Sequence, residues 1–107
     1  MKHQVHFIAE AEEDVVDIYR YLLAEDSRAA ADSFLKRIEE ACSSLQKLPG
    51  RGHVPPELYR IGVSDYLEIH CKPYRIIYQI IDRKVYIHCL LDGRRDIQEH
   101  LRWRILR

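Results

Sequence analysis

The sequence lacks the features that would assign it to several common classes of protein. No apolar run approaches the ~18 residues that a membrane-spanning helix needs, and the acidic N-terminal stretch is unlike a secretory signal. The cysteines Cys42, Cys71 and Cys89 form no CxxC pair and lie in apolar patterns, so we expect buried thiols rather than disulfides. We therefore expect a single domain over residues 1–107, located in the cytoplasm and not bound to a membrane.

Motifs that carry common chemistries are also missing. There is no glycine-rich phosphate loop, and no motif typical of a serine or cysteine nucleophile. The pair His3-x-x-His6 has no partners at the spacing of a zinc site. His70 and His88 are predicted to lie on the opposite side of the sheet from the nearby cysteines. The sequence therefore predicts neither a cofactor nor a metal site.

The chain does have an uneven distribution of charge. Hydrophobic residues make up 47% and charged residues 32%, as in an ordinary globular protein, and the net charge is zero. Residues 1–40 carry five basic and ten acidic side chains, whereas residues 94–107 carry five arginines and two acidic side chains. The basic C-terminal segment suits phosphates or an acidic protein partner, although a solvated helix face gives the same pattern.

The first half of the chain predicts a short strand followed by two helices. Residues 4–8 are a candidate strand, and apolar residues then recur at helical spacing over residues 9–24. Asp26 or Ser27 can cap a second helix, which the Pro-Gly pair at 49–50 ends. Because only a few residues separate the helices, they should fold back on each other as an antiparallel hairpin.

The second half predicts an irregular connection over residues 49–65 and then a β-meander. Two-residue turns at Lys72-Pro73 and Asp82-Arg83 give registers in which one face of the sheet is apolar. The expected pairs on that face are Leu67 with Tyr78, Ile69 with Ile76, Ile80 with Val85, Tyr78 with Ile87, Ile76 with Cys89 and Tyr74 with Leu91. The expected pairs on the other face are His70 with Arg75, Gln79 with Tyr86, Ile77 with His88 and Arg75 with Leu90.

The predicted fold class is α+β. An N-terminal strand and an antiparallel two-helix hairpin should pack on the apolar face of the antiparallel meander. Ile97, Leu101 and Ile105 recur every four residues and predict a short C-terminal helix. Trp103 on that helix is expected either to pack inward or, if exposed, to serve a partner interface.

The opposite face of the predicted sheet has a mixed character. It carries Tyr66, Glu68, His70, Arg75, Gln79, Tyr86 and His88, with Ile77 as an apolar floor and Arg94 just beyond the last strand. Arginine holds phosphate with two parallel hydrogen bonds, and histidine transfers protons near neutral pH, so this face could bind or cleave a phosphodiester. The alternative is that Arg75 is ion-paired with Glu68, a common role for an arginine on a sheet.

Taken in order, these segments resemble the RelE/ParE superfamily, the toxins of bacterial type II toxin–antitoxin pairs. The resemblance covers nearly the whole chain. It rests on "EAEEDVVDIYRYL", on "FLKRIEEACSSLQKLPGRG" leading to "VPPEL", and on the closing "LRWRIL". Its most specific part is "YRIIYQI" followed by "GRRD". The resemblance implies two helices packed on an antiparallel sheet, and a cognate antitoxin as partner.

The resemblance also implies one of two targets. RelE-type members cut messenger RNA in the ribosomal A site, whereas ParE-type members inhibit DNA gyrase and have no cleavage activity of their own. Arg75 and the pair Arg94 and Arg95 match arginines with which the RNA-cutting branch holds its substrate. These three arginines are therefore the candidates for binding a target or a phosphate group.

Departures from the RNA-cutting pattern favour the ParE branch, which acts in plasmid stabilisation. Tyr66 and Glu68 stand where the RNA-cutting branch keeps lysines, and Leu101, next to His100, stands in place of its late tyrosine. The "GRRD" ending and the "LRWRIL" tail resemble the ParE branch more closely. The leading hypothesis is a gyrase inhibitor that is not an enzyme and that causes growth arrest unless an antitoxin binds it.

Two alternatives stay open beside that hypothesis. One is a RelE-like, ribosome-dependent endoribonuclease, whose candidate catalytic residues are Glu68, His70, Arg75, His88, Arg94 and His100. The other is a regulatory member that binds an antitoxin without being toxic. In all three cases the candidate antitoxin-binding residues are Arg94, Arg95, Arg102 and Trp103.

Overall fold

The computed structural model describes residues 2–94 and 97–106. In this part of the chain four strands form one sheet: β1 (Gln4–Phe7), β2 (Leu67–Cys71), β3 (Tyr74–Ile81) and β4 (Lys84–Asp92). The helices are α1 (Ala9–Glu25), α2 (Arg28–Ser43), the one-turn α3 (Pro56–Tyr59) and α4 (Ile97–Arg104). The predicted α+β class and the order of its elements are confirmed. Among the described residues, no helix has both the length and the apolarity that crossing a membrane requires.

Helices α1 and α2 pack against each other as the predicted hairpin. Ser27 caps α2, because its hydroxyl accepts a hydrogen bond of 3.0 Å from the Ala30 N–H. A hydrogen bond of 2.6 Å from the Tyr19 hydroxyl to Asp32 joins the two helices. Their apolar faces form the first core of the protein with one face of the sheet, and Phe34 meets the ring of Tyr74 edge to face.

The sheet has the strand order β1-β4-β3-β2. β1 runs parallel to β4, and the other neighbours are antiparallel. The register set by Lys72-Pro73 is confirmed, with Leu67 opposite Tyr78, Ile69 opposite Ile76 and His70 opposite Arg75. The register next to Asp82-Arg83 is confirmed for Ile80 with Val85, Gln79 with Tyr86 and Tyr78 with Ile87.

A β-bulge next to Ile77 and Tyr78 shifts the rest of the β3–β4 register by one residue. The observed pairs are Ile77 with Cys89, Ile76 with Leu90, Arg75 with Leu91 and Tyr74 with Asp92. The predicted pairs of Ile77 with His88, Ile76 with Cys89, Arg75 with Leu90 and Tyr74 with Leu91 are wrong, because His88 is an extra residue in β4. Cys89 and Leu91 therefore lie on the side away from α1 and α2, while Leu90 packs toward those helices.

The far face of the sheet is covered by a second core. Its buried members are Leu58, Ile77, Cys89, Leu91, Ile97 and Leu101, contributed by α3, β3, β4 and α4. The prediction that only one face of the sheet is buried is wrong, because α3 and α4 pack over Ile77 on the mixed face and exclude water. Polar groups of the far face are consequently confined to the margins of this second core.

Asp14 and Arg104 form hydrogen bonds with the backbone of β4 where that strand extends beyond β1. β1 pairs with β4 through Ile87, so the backbone groups that follow need other partners. Asp14 in α1 accepts a hydrogen bond of 3.0 Å from the Leu90 N–H, and Arg104 in α4 donates one of 2.8 Å to the His88 carbonyl. Asp14 and Arg104 also pair with each other at 2.9 and 3.0 Å. This Asp14–Arg104 bridge ties α1 and α4 to the bulge.

The cysteines are free thiols in the structure. Cys42 and Cys89 are buried, as predicted, and burial raises the pKa of each thiol to about 12. Cys71 is half-buried instead, because it lies at the end of β2 next to the turn. Thiolate chemistry is therefore suppressed at Cys42 and Cys89 near neutral pH.

Candidate functional site

Arg75 on β3 is held between two carboxylates. Its guanidinium donates hydrogen bonds of 2.8 and 2.9 Å to Glu57 and of 2.5 and 2.7 Å to Glu68. The side chain of Arg75 is 14% exposed, and that of Glu68 is fully buried. These hydrogen bonds, first to Glu57 and then to Glu68, raise the pKa of Arg75 above its usual range. The same contact with Arg75 lowers the pKa of Glu57. These hydrogen bonds therefore stabilise the charged forms of Arg75 and Glu57.

Local structure brings these three residues together from separate elements. Glu68 and His70 lie on the same side of β2, and His70 is directly opposite Arg75 on β3. Glu57 comes from α3, which begins at Pro56, a residue suited to the first position of a helix. The predicted alternative, an ion pair between Arg75 and Glu68, is confirmed. Glu57 was missed, because it lies in the segment that was predicted to be irregular.

Two histidines flank the buried Glu68 carboxylate. The Nε2 atom of His70 lies 3.1 Å from Oε1 of Glu68, and that of His53 lies 3.4 Å from Oε2. The His53 and Glu68 backbones also exchange two hydrogen bonds, of 3.1 and 2.7 Å. A Cβ atom on Gly52 would lie 2.5 Å from the Glu68 carbonyl oxygen, so this close approach requires glycine. We call His53, Glu57, Glu68, His70 and Arg75 the Arg75 cluster.

His88 lies in a different environment from the Arg75 cluster. Its ring meets Tyr66 edge to face, and its Nε2 atom is 3.3 Å from Oε1 of Gln79. Burial, and next the positive charge of Arg104, lower the pKa of His88, with a smaller opposing effect from Glu10. A histidine of this kind is neutral near pH 7, and its protonation opposes folding.

We expect His88 to make the protein less stable in weak acid. With a lowered folded pKa, the stability linked to His88 is complete above the unfolded value of about 6.5 and is lost as the pH falls below it. The variant His88→Gln should therefore keep more of its neutral-pH stability at about pH 5.5 than the wild type does. Urea unfolding at the two pH values measures this difference. An equal loss in wild type and variant would contradict the assignment, and His6→Gln serves as the exposed-histidine control.

The candidate residues for partner binding lie on and near α4. The Arg94 side chain is 74% exposed and pairs with Asp92. Arg102 is exposed, and Trp103, which is 63% exposed, donates a hydrogen bond of 3.1 Å to Glu99. Trp103 therefore does not pack into the core, and its role at a partner interface stays a prediction. Arg95 lies outside the described residues.

The structure separates the six candidate catalytic residues into distinct places. Glu68, His70 and Arg75 are together in the Arg75 cluster. Arg94 and His100 line a groove of about 450 Å³ between α1 and α4, together with Asp14, Tyr21, Tyr74 and Arg104. The ring of His88 instead contacts Tyr66 and Gln79. His53 was missed as a neighbour of His70, because its position in the connection gives no periodic signal.

Comparison with known proteins assigns the chain to a family. The family model described as ParE toxin of type II toxin-antitoxin system, parDE, matches residues 5–97. The chain belongs to the ParE toxin family. This match confirms the resemblance inferred from the sequence, including the preference for the ParE branch, and makes the protein a type II toxin by family. Comparison with curated protein sequences gave no match.

Solved structures confirm that this member of the ParE toxin family has the fold of such toxins. It is similar to a chain of the chromosomal ParDE toxin–antitoxin system from P. aeruginosa, with a TM-score of 0.69 and 15% identity over 83% of this chain and 94% of that one. It is also similar to a chain of the toxin–antitoxin complex RelBE2 from Mycobacterium tuberculosis, with a TM-score of 0.58 and 22% identity over 84% and 96% of the two chains.

Proposed function

We propose that this toxin inhibits DNA gyrase in the cytoplasm and is held inactive by a cognate antitoxin. The observation that carries the proposal is the match of the ParE family over residues 5–97. The ParDE and RelBE2 structures that resemble the chain are toxin–antitoxin systems, which supports an antitoxin as its partner.

The Arg75 cluster supports a target other than messenger RNA. A nuclease of the RelE type needs an arginine that is free to hold phosphate, whereas Arg75 already makes four hydrogen bonds to Glu57 and Glu68. A phosphate group could replace these carboxylates only by leaving the buried Glu68 without its cation, which is costly. Arg75 is therefore better suited to holding α3 against the sheet than to gripping RNA.

The surface of α4 supports binding of an acidic, partly apolar antitoxin segment. Arg102 and the exposed Trp103 lie on this helix, and Arg94 precedes it. Large aromatic and arginine side chains are the residue types that dominate the energy of protein interfaces. A disordered segment must cover a large surface to offset its loss of conformational entropy, and α4 with the neighbouring groove offers such a surface. We assign Arg94, Arg102 and Trp103, together with Arg95, to the antitoxin interface.

A gyrase supercoiling assay tests the proposal. We expect the purified toxin at micromolar concentration to block supercoiling of relaxed plasmid, and an equimolar amount of the antitoxin from the neighbouring reading frame to restore it. A double variant, Arg102→Glu with Trp103→Ala, should need more antitoxin for the same recovery, because the assigned interface is weakened. Arg83→Glu changes an exposed arginine in the β3–β4 turn and serves as the matched control.

Two results would count against this function. Unaffected supercoiling, together with A-site cleavage of messenger RNA in a toeprinting assay, would assign the toxin to the ribosome. Unaffected supercoiling without growth arrest on induced expression would indicate a regulatory member that binds its antitoxin and is harmless.

A further inference from the structure

His53, Glu68 and His70 direct three metal-binding atoms toward one small volume. One ligand atom from each residue lies within 4.8 Å of the other two. The two histidine nitrogens are 3.4 and 3.1 Å from the carboxylate oxygens. The imidazole rings stand edge to face with their centroids 5.4 Å apart. This group is not part of the proposed interface on α4 and needs an explanation of its own.

The separations approach those between ligands of a tetrahedral zinc ion. Zinc–nitrogen and zinc–oxygen bonds of about 2.0–2.2 Å place neighbouring ligand atoms about 3.3–3.6 Å apart. The histidine–carboxylate distances are close to this range, but His70 contacts Oε1 of Glu68 whereas His53 contacts Oε2. One histidine ring must therefore turn toward the oxygen that the other contacts before a single carboxylate oxygen can share an ion with both nitrogens. The side chains of His53 and His70 are 59% and 50% exposed, which leaves both rings room to rotate.

We propose that His53, Glu68 and His70 bind one divalent transition metal ion of the zinc class, with water at the remaining position. Two imidazole nitrogens and one carboxylate oxygen with an open position are a donor set typical of zinc. Imidazole ligands favour Zn²⁺ and related transition metals over Mg²⁺ and Ca²⁺, which prefer oxygen. The exposed sides of the two rings provide the path by which an ion enters.

The surroundings hold these ligands in place before any metal binds. Arg75 donates one hydrogen bond to each oxygen of Glu68, which fixes the plane of the carboxylate, and each oxygen also lies next to one of the two histidines. His53 is fixed by the two backbone hydrogen bonds to Glu68. The preceding Gly52 N–H is held at 3.1 Å by the Tyr78 hydroxyl, which in turn donates to the Pro49 carbonyl.

The charge of the Arg75 cluster also favours a cation. Glu57 and Glu68 contribute two negative charges and Arg75 one positive charge, so the cluster carries a net charge of −1 when both histidines are neutral. A divalent ion replaces the hydrogen bonds between the histidines and Glu68 with stronger coordinate bonds. Because protons compete for the same histidine nitrogens, metal affinity should fall as the pH is lowered.

Titration of the untagged, chelator-treated chain with Zn²⁺ by calorimetry tests the proposal, with Co²⁺ absorption as a report of ligand geometry. We expect one saturable site per chain and the visible bands of a tetrahedral or five-coordinate Co²⁺ ion. His53→Gln and His70→Gln should each weaken binding at least about tenfold, since even loss of an outer-shell partner costs about 10–100-fold. Zn²⁺ should also raise the thermal unfolding temperature of the wild type, and of neither variant.

Control variants make the test specific to this site. His6→Gln and His100→Gln remove histidines outside the Arg75 cluster and should leave Zn²⁺ binding unchanged. The proposal is overturned if the wild type shows no saturable binding below millimolar Zn²⁺, because the histidines and Glu68 then share only hydrogen bonds. It is equally overturned if the His53 and His70 variants bind like the wild type while His6→Gln or His100→Gln does not. Both outcomes leave the gyrase proposal unaffected, because the supercoiling assay does not depend on this metal.

Discussion

Replacement of Arg75 by methionine is expected to lower the free energy of unfolding by about 3–5 kcal/mol, because a buried charge loses its partner. Glu68 is fully buried, and Arg75 gives it two hydrogen bonds. Without the guanidinium, Glu68 and Glu57 become two carboxylates with no cation between them. Urea unfolding at neutral pH, followed by circular dichroism, measures the loss.

A matched variant and a rescue variant make this prediction specific. Arg60→Met removes an exposed arginine just after α3 and should change the stability by no more than about 0.5 kcal/mol. Adding Glu68→Gln to Arg75→Met removes the stranded charge and should restore part of the lost stability. If Arg75→Met unfolds at the same urea concentration as Arg60→Met, the ion pairs contribute nothing to folding. Loss of toxicity in an Arg75 variant must accordingly be compared with its loss of stability before a catalytic role is assigned.

Replacement of Asp14 by alanine is expected to cost about 2–4 kcal/mol, because it leaves a backbone donor and a half-buried arginine without their main acceptor. Asp14 accepts hydrogen bonds from the Leu90 N–H and from two nitrogens of Arg104. Hydrogen exchange gives a direct measurement, since the Leu90 amide should exchange faster in the variant while amides of the β2–β3 pair keep their protection.

The control for this prediction lies on the same helix. Asp17→Ala removes an exposed acidic residue of α1 and should be nearly neutral. A double-mutant cycle with Arg104→Met should give a coupling energy of about 1–3 kcal/mol between Asp14 and Arg104. A coupling energy near zero would show that the two side chains stabilise the β4 edge independently of each other.

Periodicity predicted the elements that local sequence determines. The helix hairpin followed from apolar spacing and from the cap at Ser27, and both tight turns gave the correct neighbouring pairs. The bulge could not be predicted in this way, because the alternation of apolar and polar residues assumes regular pairing and does not show where an extra residue is inserted. The sequence does contain one indication of the bulge, the consecutive apolar residues Cys89, Leu90 and Leu91. A regular strand with only one buried face should alternate apolar and polar residues and should not contain such a run.

The candidate site was less predictable than the fold. Arg75, Glu68 and His70 were placed on one face by alternation, and the structure has them there in contact. Glu57 and His53 complete the cluster from a connection with no periodic pattern, so no local rule brings them to Glu68. Asp14 contacts residues far along the chain, and no local pattern in α1 indicates these contacts.

The parallel pairing of β1 with β4 has a consequence for the order in which the protein can form during its own synthesis. Gln4–Phe7 is made early, but its partner Lys84–Ile87 is made only after both long helices and two further strands. On a nascent chain, the first strand therefore stays unpaired until most of the polypeptide has left the exit tunnel. The complete four-stranded sheet should therefore form only late in synthesis, after β4 has emerged.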